Sequence, residues 1–139
     1  MRILVTGSRD LSSKAIVADA FREAIGRHYG FPLPVPFDWS SVTIRHGKAR
    51  GADTLAHRIA QEWGMRTQFI DADWATFGNA AGPIRNSRLV ALEPVADECL
   101  AFPARGSRGT YDCMKKASAA GIPVFNYGFQ EGAGVVADG

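Results

Sequence analysis

Apolar positions along this chain fall into short β-favouring runs and longer stretches that repeat every three to four residues, and the two kinds alternate. Arg2-Ile3-Leu4-Val5 reads as a strand stopped by Thr6-Gly7-Ser8. A helix follows with Ser12 or Ser13 as N-cap, its inner face carried by Val17, Ala20, Phe21, Ala24 and Ile25, and Gly30 ends it. Pro32, Pro34 and Pro36 then forbid regular structure and predict an exposed loop. Ser41 to His46 is a second strand, Gly47 to Gly51 a glycine-bounded turn, and Leu55, Ala56, Ile59, Ala60 and Trp63 one face of a second helix that Gly64 terminates.

Thr67 to Ile70 reads as the third strand, followed by a polar loop from Asp71 to Gly82 and a helix from Pro83 to Leu92. Glu98 to Phe102 is the fourth strand. After the turn from Ala104 to Gly109, a helix N-capped by Thr110 runs to Gly121, and Ile122 to Phe125 forms the last strand. Strands that alternate with helices need crossover connections, which predicts a five-stranded parallel sheet, covered on both faces by about four helices with right-handed crossovers. Residues 1–127 form one domain in this reading, and 128–139 a loose glycine-rich tail.

Composition sharpens the picture by exclusion. The 139 residues match a single domain, and 46% hydrophobic, 10% aromatic and 22% charged residues describe an ordinary globular core. Sixteen Lys and Arg against fourteen Asp and Glu leave a formal charge of +2, too little to draw the whole chain onto nucleic acid or a membrane. With no run of about 18 apolar residues and no leader-like start, the expectation is a cytoplasmic protein. Cys99 and Cys113 lack CxxC spacing, and His28, His46 and His57 fall in separate segments, so neither a disulfide framework nor a metal site is expected, and no cofactor is implied.

The chemistry should sit where a parallel sheet exposes its strand carboxyl ends. Three glycine turns land there: Gly7-Ser8-Arg9-Asp10, Gly47-Lys48-Ala49-Arg50-Gly51-Ala52-Asp53, and Arg105-Gly106-Ser107-Arg108-Gly109-Thr110. Glycine admits a ligand oxygen close to the backbone, Ser and Thr donate hydrogen bonds, and Arg offers a fork to phosphate. Together they predict an anion site. The dinucleotide fingerprint G-x-G-x-x-G and the G-x-x-x-x-G-K-[ST] loop are both absent.

Those turns, with Ile3-Leu4-Val5-Thr6 before the first, Ala72-Asp73-Trp74 and Gly82-Pro83-Ile84-Arg85-Asn86, make the chain resemble the YspA/cpYpsA-related group of the SLOG superfamily along nearly its whole length. The resemblance implies a Rossmann-like three-layer sandwich. It also implies nucleotide chemistry, because the superfamily includes LOG-type nucleotide phosphoribohydrolases, DprA-type DNA-binding proteins and proposed sensors of nucleotide-derived signals. Against the LOG pattern P-G-G-x-G-T-x-x-E, Gly106, Ser107, Gly109 and Thr110 align, and Arg85 with Leu89 fits the upstream R-K-x-x-M helix. The glutamate position falls on Cys113, while Asp112 lies one residue earlier and about 100° around the helix.

The expected ligand-binding set is Gly7, Ser8, Arg9, Gly47, Arg50, Gly51, Asp53, Arg85, Asn86, Gly106, Ser107, Gly109 and Thr110, with Arg85 and Asp112 as candidates for any catalytic role. Asp53 and Asp112 each fall in a first helical turn, where the dipole alone favours an acid. Trp74 either stacks on a base or anchors the long loop with Phe77. His46 is expected as a satisfied buried histidine and Cys113 as a half-buried thiol. The leading function is binding of a nucleotide-derived small molecule, as a sensor or sequestering module. Cleavage of a nucleotide N-glycosidic bond and single-stranded DNA binding stand behind it, the latter disfavoured by the low charge. Pairing into a homodimer through helices is common for domains of this kind.

Overall fold

Side chains on a strand point alternately to opposite faces, and the first strand divides its residues accordingly. In the computed structural model, which describes residues 1–130 and 134–135, β1 (Arg2–Gly7) sends Ile3 and Val5 into one core and Leu4 into another. β4 (Glu98–Phe102) does the same, with Leu100 and Phe102 in the first core and Cys99 in the second. Both strands are inaccessible to water along their centres, which a strand covered on two faces must be.

The first core is closed by α1 (Lys14–Tyr29) and α2 (Ala52–Trp63), whose buried residues follow the three-to-four spacing of the sequence. The second is closed by α4 (Ala81–Ala91) and α5 (Arg108–Ala119) through Leu89, Val90, Cys113 and Ala117. Between these layers lie β1, β4, β2 (Thr43–His46), β3 (Arg66–Phe69) and β5 (Val124–Asn126), in the order β3-β2-β1-β4-β5 with every pair parallel. This is the α/β Rossmann-like arrangement expected. The chain winds outward from β1 to the β3 edge, then returns to place β4 on the other side of β1, so connections diverge above the β1 and β4 carboxyl ends.

Several boundaries differ from the sequence reading. α4 starts at Ala81 rather than Pro83, which takes the third helical position; a first-turn residue has no intrahelical N–H bond to lose. α5 starts at Arg108 with Ser107 as its N-cap residue, so Thr110 is a buried first-turn residue instead of the cap. The 71–82 loop contains a one-turn helix, α3 (Trp74–Phe77), capped where Thr76 N donates to Asp73 Oδ1 at 3.1 Å. β3 begins and ends one residue early, and β5 begins after Ile122, which is a core residue below the strand.

Within the stretch read as a tail, the backbone of β6 (Phe129–Gln130) pairs antiparallel with β7 (Gly134–Val135). Residues 131–133 and 136–139 of that stretch lie outside the described residues. Among the described residues no helix is long and apolar enough to cross a membrane.

The largest side chain with no exposure at all is polar: Arg45, in the middle of β2. Its Nε donates to Gln68 Oε1 at 2.8 Å, Nη1 to the Leu89 and Leu92 carbonyls at 3.0 Å each, and Nη2 to the Pro94 carbonyl at 2.7 Å. A guanidinium thus caps the carbonyl end of α4, where the helix dipole is negative. Burial, aided by Arg2, pulls it below its ordinary value, with Glu93 opposing. Reading Ser41 to His46 as a simple strand gave no sign of this role.

Candidate functional site

Backbone bonds gather the turns expected to carry chemistry. Ser8 N donates to the Phe102 carbonyl at 2.9 Å, joining the ends of β1 and β4, and Ala52 N donates to the Ser8 carbonyl at 3.2 Å, joining the β1 turn to the start of α2. Asp10 N donates to Ser8 Oγ at 3.0 Å and tightens the turn itself. Above these joints opens a cleft of about 660 Å³, lined by the β1 turn, part of the β2 turn, α4 and the start of α5. A volume in the hundreds of Å³ suits a small-molecule ligand.

Of the thirteen expected binding residues, eleven line this cleft: Gly7, Ser8, Arg9, Gly47, Asp53, Arg85, Asn86, Gly106, Ser107, Gly109 and Thr110. Arg50 and Gly51 do not. Arg50 is exposed outside the cleft. Gly51 has φ +74°, and a Cβ there would run into the Ser8 and Arg9 backbone, so its glycine serves the close approach of two turns. Gly7 is likewise a packing glycine, since a Cβ on it would come 2.9 Å from Phe102 Cβ. Gly109 is different: a Cβ there meets nothing within 4 Å, and neither its N–H nor that of Thr110 has a partner among the described residues. This first turn of α5 offers those donors, a positive dipole end and the Arg108 guanidinium, with Arg105 in the preceding loop on the same wall.

Across the cleft a continuous network fixes α4. Arg85 lies against Gly47, its Nη1 donating to the Gly47 carbonyl at 2.8 Å and its Nε to Asn86 Oδ1 at 3.3 Å; a Cβ on Gly47 would approach Arg85 Cδ to 2.7 Å. Asn86 is buried and donates from Nδ2 to the Gly109 carbonyl and to Asp112 Oδ2, both at 3.0 Å. Lys116 Nζ donates to the same Asp112 oxygen at 2.9 Å and to the Pro83 carbonyl at 2.8 Å. Asp112 lines the cleft, but its Oδ2 is spent on clamping α4 to α5.

Asp53 is the site's most perturbed acid. Its Oδ2 accepts from Gly47 N at 3.0 Å and Ala49 N at 3.2 Å, while the buried Oδ1 has no partner among the described residues. At 5% exposure, burial pushes the carboxyl up to about 6, against the opposing pull of those two amides, Arg85 and Arg9. The side chain that shapes the β2 turn therefore takes up its proton in mildly acidic solution, well above the usual range for an aspartate.

His46 is buried as expected. Lys48 N donates to its Nδ1 at 3.0 Å, which leaves the proton on Nε2 to be donated to His57 Nδ1 at 2.9 Å. Burial, then the neighbouring His57 and Lys48, lower its value to about 4. Cys113 is fully buried rather than half-buried, beside Cys99, and both are free thiols.

The sequence reading left four notable cleft residues outside its binding set: Trp74, Asn79, Arg105 and Arg108. The two arginines lie inside the third glycine turn, where an arginine next to glycine is itself the sequence signal. Trp74 opens α3 on the cleft wall. Its indole is 46% exposed, with the Arg9 guanidinium carbon 5.6 Å from the ring centroid.

The family model for the YspA, cpYpsA-related SLOG family matches residues 1–77, which contain the β1 and β2 turns. The Gene 61 protein of Mycobacterium phage D29 is 41% identical over 135 residues, covering 91% of this chain and 96% of the relative. No solved structure matches the chain.

Proposed function

Because this chain belongs to the YspA, cpYpsA-related SLOG family, we propose that its cleft binds a phosphate-bearing, nucleotide-derived small molecule, and that the protein acts as a sensor or sequestering module for it. One observation carries the reading: turns distant in sequence meet at the β1–β4 switch point around a cleft whose α5 side presents Gly109 and Thr110 amides, without partners among the described residues, beside Arg105 and Arg108. Phosphate satisfies all of those groups at once, since its oxygens accept from backbone N–H and from a guanidinium fork together. Asp112 favours binding over turnover, because it stands one residue from the family's glutamate position and one of its oxygens clamps α4 to α5 through Asn86 and Lys116. Low net charge weighs against the single-stranded DNA reading.

Calorimetry with 5′-AMP, ADP-ribose and a cyclic dinucleotide tests this. At least one should bind, and Arg108→Ala should weaken it about tenfold, the loss of a charge-assisted phosphate contact. Arg50→Ala should bind as the parent does. Silence from all three compounds with a folded protein would overturn the reading.

A further inference from the structure

We propose that Trp74 is the wall on which the ligand's aromatic base stacks, so that the cleft takes a nucleoside monophosphate extended from the α5 amides to the α3 indole; the inference rests on the phosphate reading of the cleft given above.

Three observations place Trp74 in this role. Trp39 and Trp63 pack edge to face on each other at 5.5 Å among core aromatics, whereas Trp74 lines the cleft and is 46% exposed. An exposed indole costs water contact unless something covers it, and a planar ring is the shape that covers it best. Its seat is built for it: Trp74 opens α3 directly after the Asp73 cap, and a Cβ on Gly82 would come 3.3 Å from Trp74 Cη2, so the missing side chain lets the ring lie against α4. The Arg9 guanidinium, 5.6 Å from the ring centroid, already treats this indole as a stacking surface.

Topology supplies the ligand's layout. Trp74 follows β3 and the free amides follow β4, with the ends of β2 and β1 between them in the sheet. Gly7 and Ser8, at the end of β1, line the same cleft as the indole and the α5 amides. Phosphate, a sugar-sized spacer and a planar ring suit that layout in order. Arg9, next to Ser8, is free to exchange the indole for phosphate when the base arrives.

The test compares 5′-AMP with ribose 5-phosphate on the full chain. The expected result is that 5′-AMP binds at least about fivefold more tightly, the low end of base–aromatic stacking. Trp74→Leu should erase that advantage while ribose 5-phosphate binding holds, and Trp74→Phe should keep part of it. Should Trp74→Leu fail to fold, the parent's tryptophan fluorescence decides: 5′-AMP should change it and ribose 5-phosphate should not. Equal affinity for the two compounds, equal weakening of both by Trp74→Leu, or fluorescence indifferent to 5′-AMP overturns the stacking role but leaves the phosphate site standing. If neither compound binds, the stacking role falls, and the phosphate reading falls with it only when ADP-ribose and the cyclic dinucleotide are silent as well.

Discussion

Ser8 and Gly51 hold two of the cleft's turns against each other: the Ser8 carbonyl accepts from Ala52 N at 3.2 Å and occupies the space that a side chain on Gly51 would need. Since Gly51 also has φ +74°, a Cβ there meets both a strained conformation and a backbone wall that cannot swing aside.

Gly51→Ala should therefore cost about 3 kcal/mol or more and lower the midpoint of thermal unfolding by roughly 10 °C. Arg50→Ala, one residue away but exposed, should stay within about 0.5 kcal/mol of the parent. Thermal denaturation followed by circular dichroism measures both. A Gly51→Ala protein as stable as the parent would show that the two turns are free to separate.

Much of this arrangement could be read along the chain. Parallel strands buried on both faces announce themselves as apolar runs such as Ile3-Leu4-Val5, and glycines after such runs mark where a sheet exposes backbone. What each glycine does could not be read: Gly51 and Gly109 sit in similar turns, yet one touches backbone and the other faces open space. That distinction depends on which turn the fold brings alongside. Arg45 was hidden for the same reason, since its partners Leu89, Leu92 and Pro94 lie more than forty residues away along the chain. Trp74 was visible as a residue, but only the folded chain shows its ring on the cleft wall rather than in the core.

Arg45 should be irreplaceable by lysine. One ammonium cannot reach Gln68 Oε1 and three carbonyls spread across the end of α4, so Arg45→Lys leaves buried acceptors without donors. We expect Arg45→Lys to cost about 2–4 kcal/mol and Arg45→Met a similar amount, by urea denaturation. A lysine variant within about 0.5 kcal/mol of the parent would mean that the fork geometry is dispensable.

At Asn86 the isosteric change should do more harm than truncation. Nδ2 points at the Gly109 carbonyl and at Asp112 Oδ2, so Asn86→Asp sets an acceptor against two acceptors, one of them charged, inside a buried site. Asn86→Ala removes the bonds without that repulsion and should cost about 1–2 kcal/mol, with Asn86→Asp at least about 1 kcal/mol worse near pH 7. The reverse ranking in thermal denaturation would show that Nδ2 does not make these bonds.

Asp53 and His46 should pull the acid side of the stability curve in opposite directions. His46 falls from its ordinary 6.5 to about 4 in the folded chain, so between those values the unfolded state holds more protons. Its contribution is complete above pH 6.5 and disappears as the pH drops to about 4, a change of roughly 3 kcal/mol at this burial. Asp53 rises from 3.8 to about 6, so across nearly the same window the folded state holds the extra proton, and raising the pH removes a similar amount of stability. In the parent the two slopes largely offset each other between pH 4 and 6. Asp53→Asn removes one of them, and its stability should then fall by roughly 3 kcal/mol on going from pH 6.5 to 4, relative to the parent. Urea titrations of both proteins at half-unit pH steps measure the difference. Parallel curves for the two proteins would mean that Asp53 is ionised in the folded chain throughout this range, and that the unpartnered Oδ1 carries no penalty.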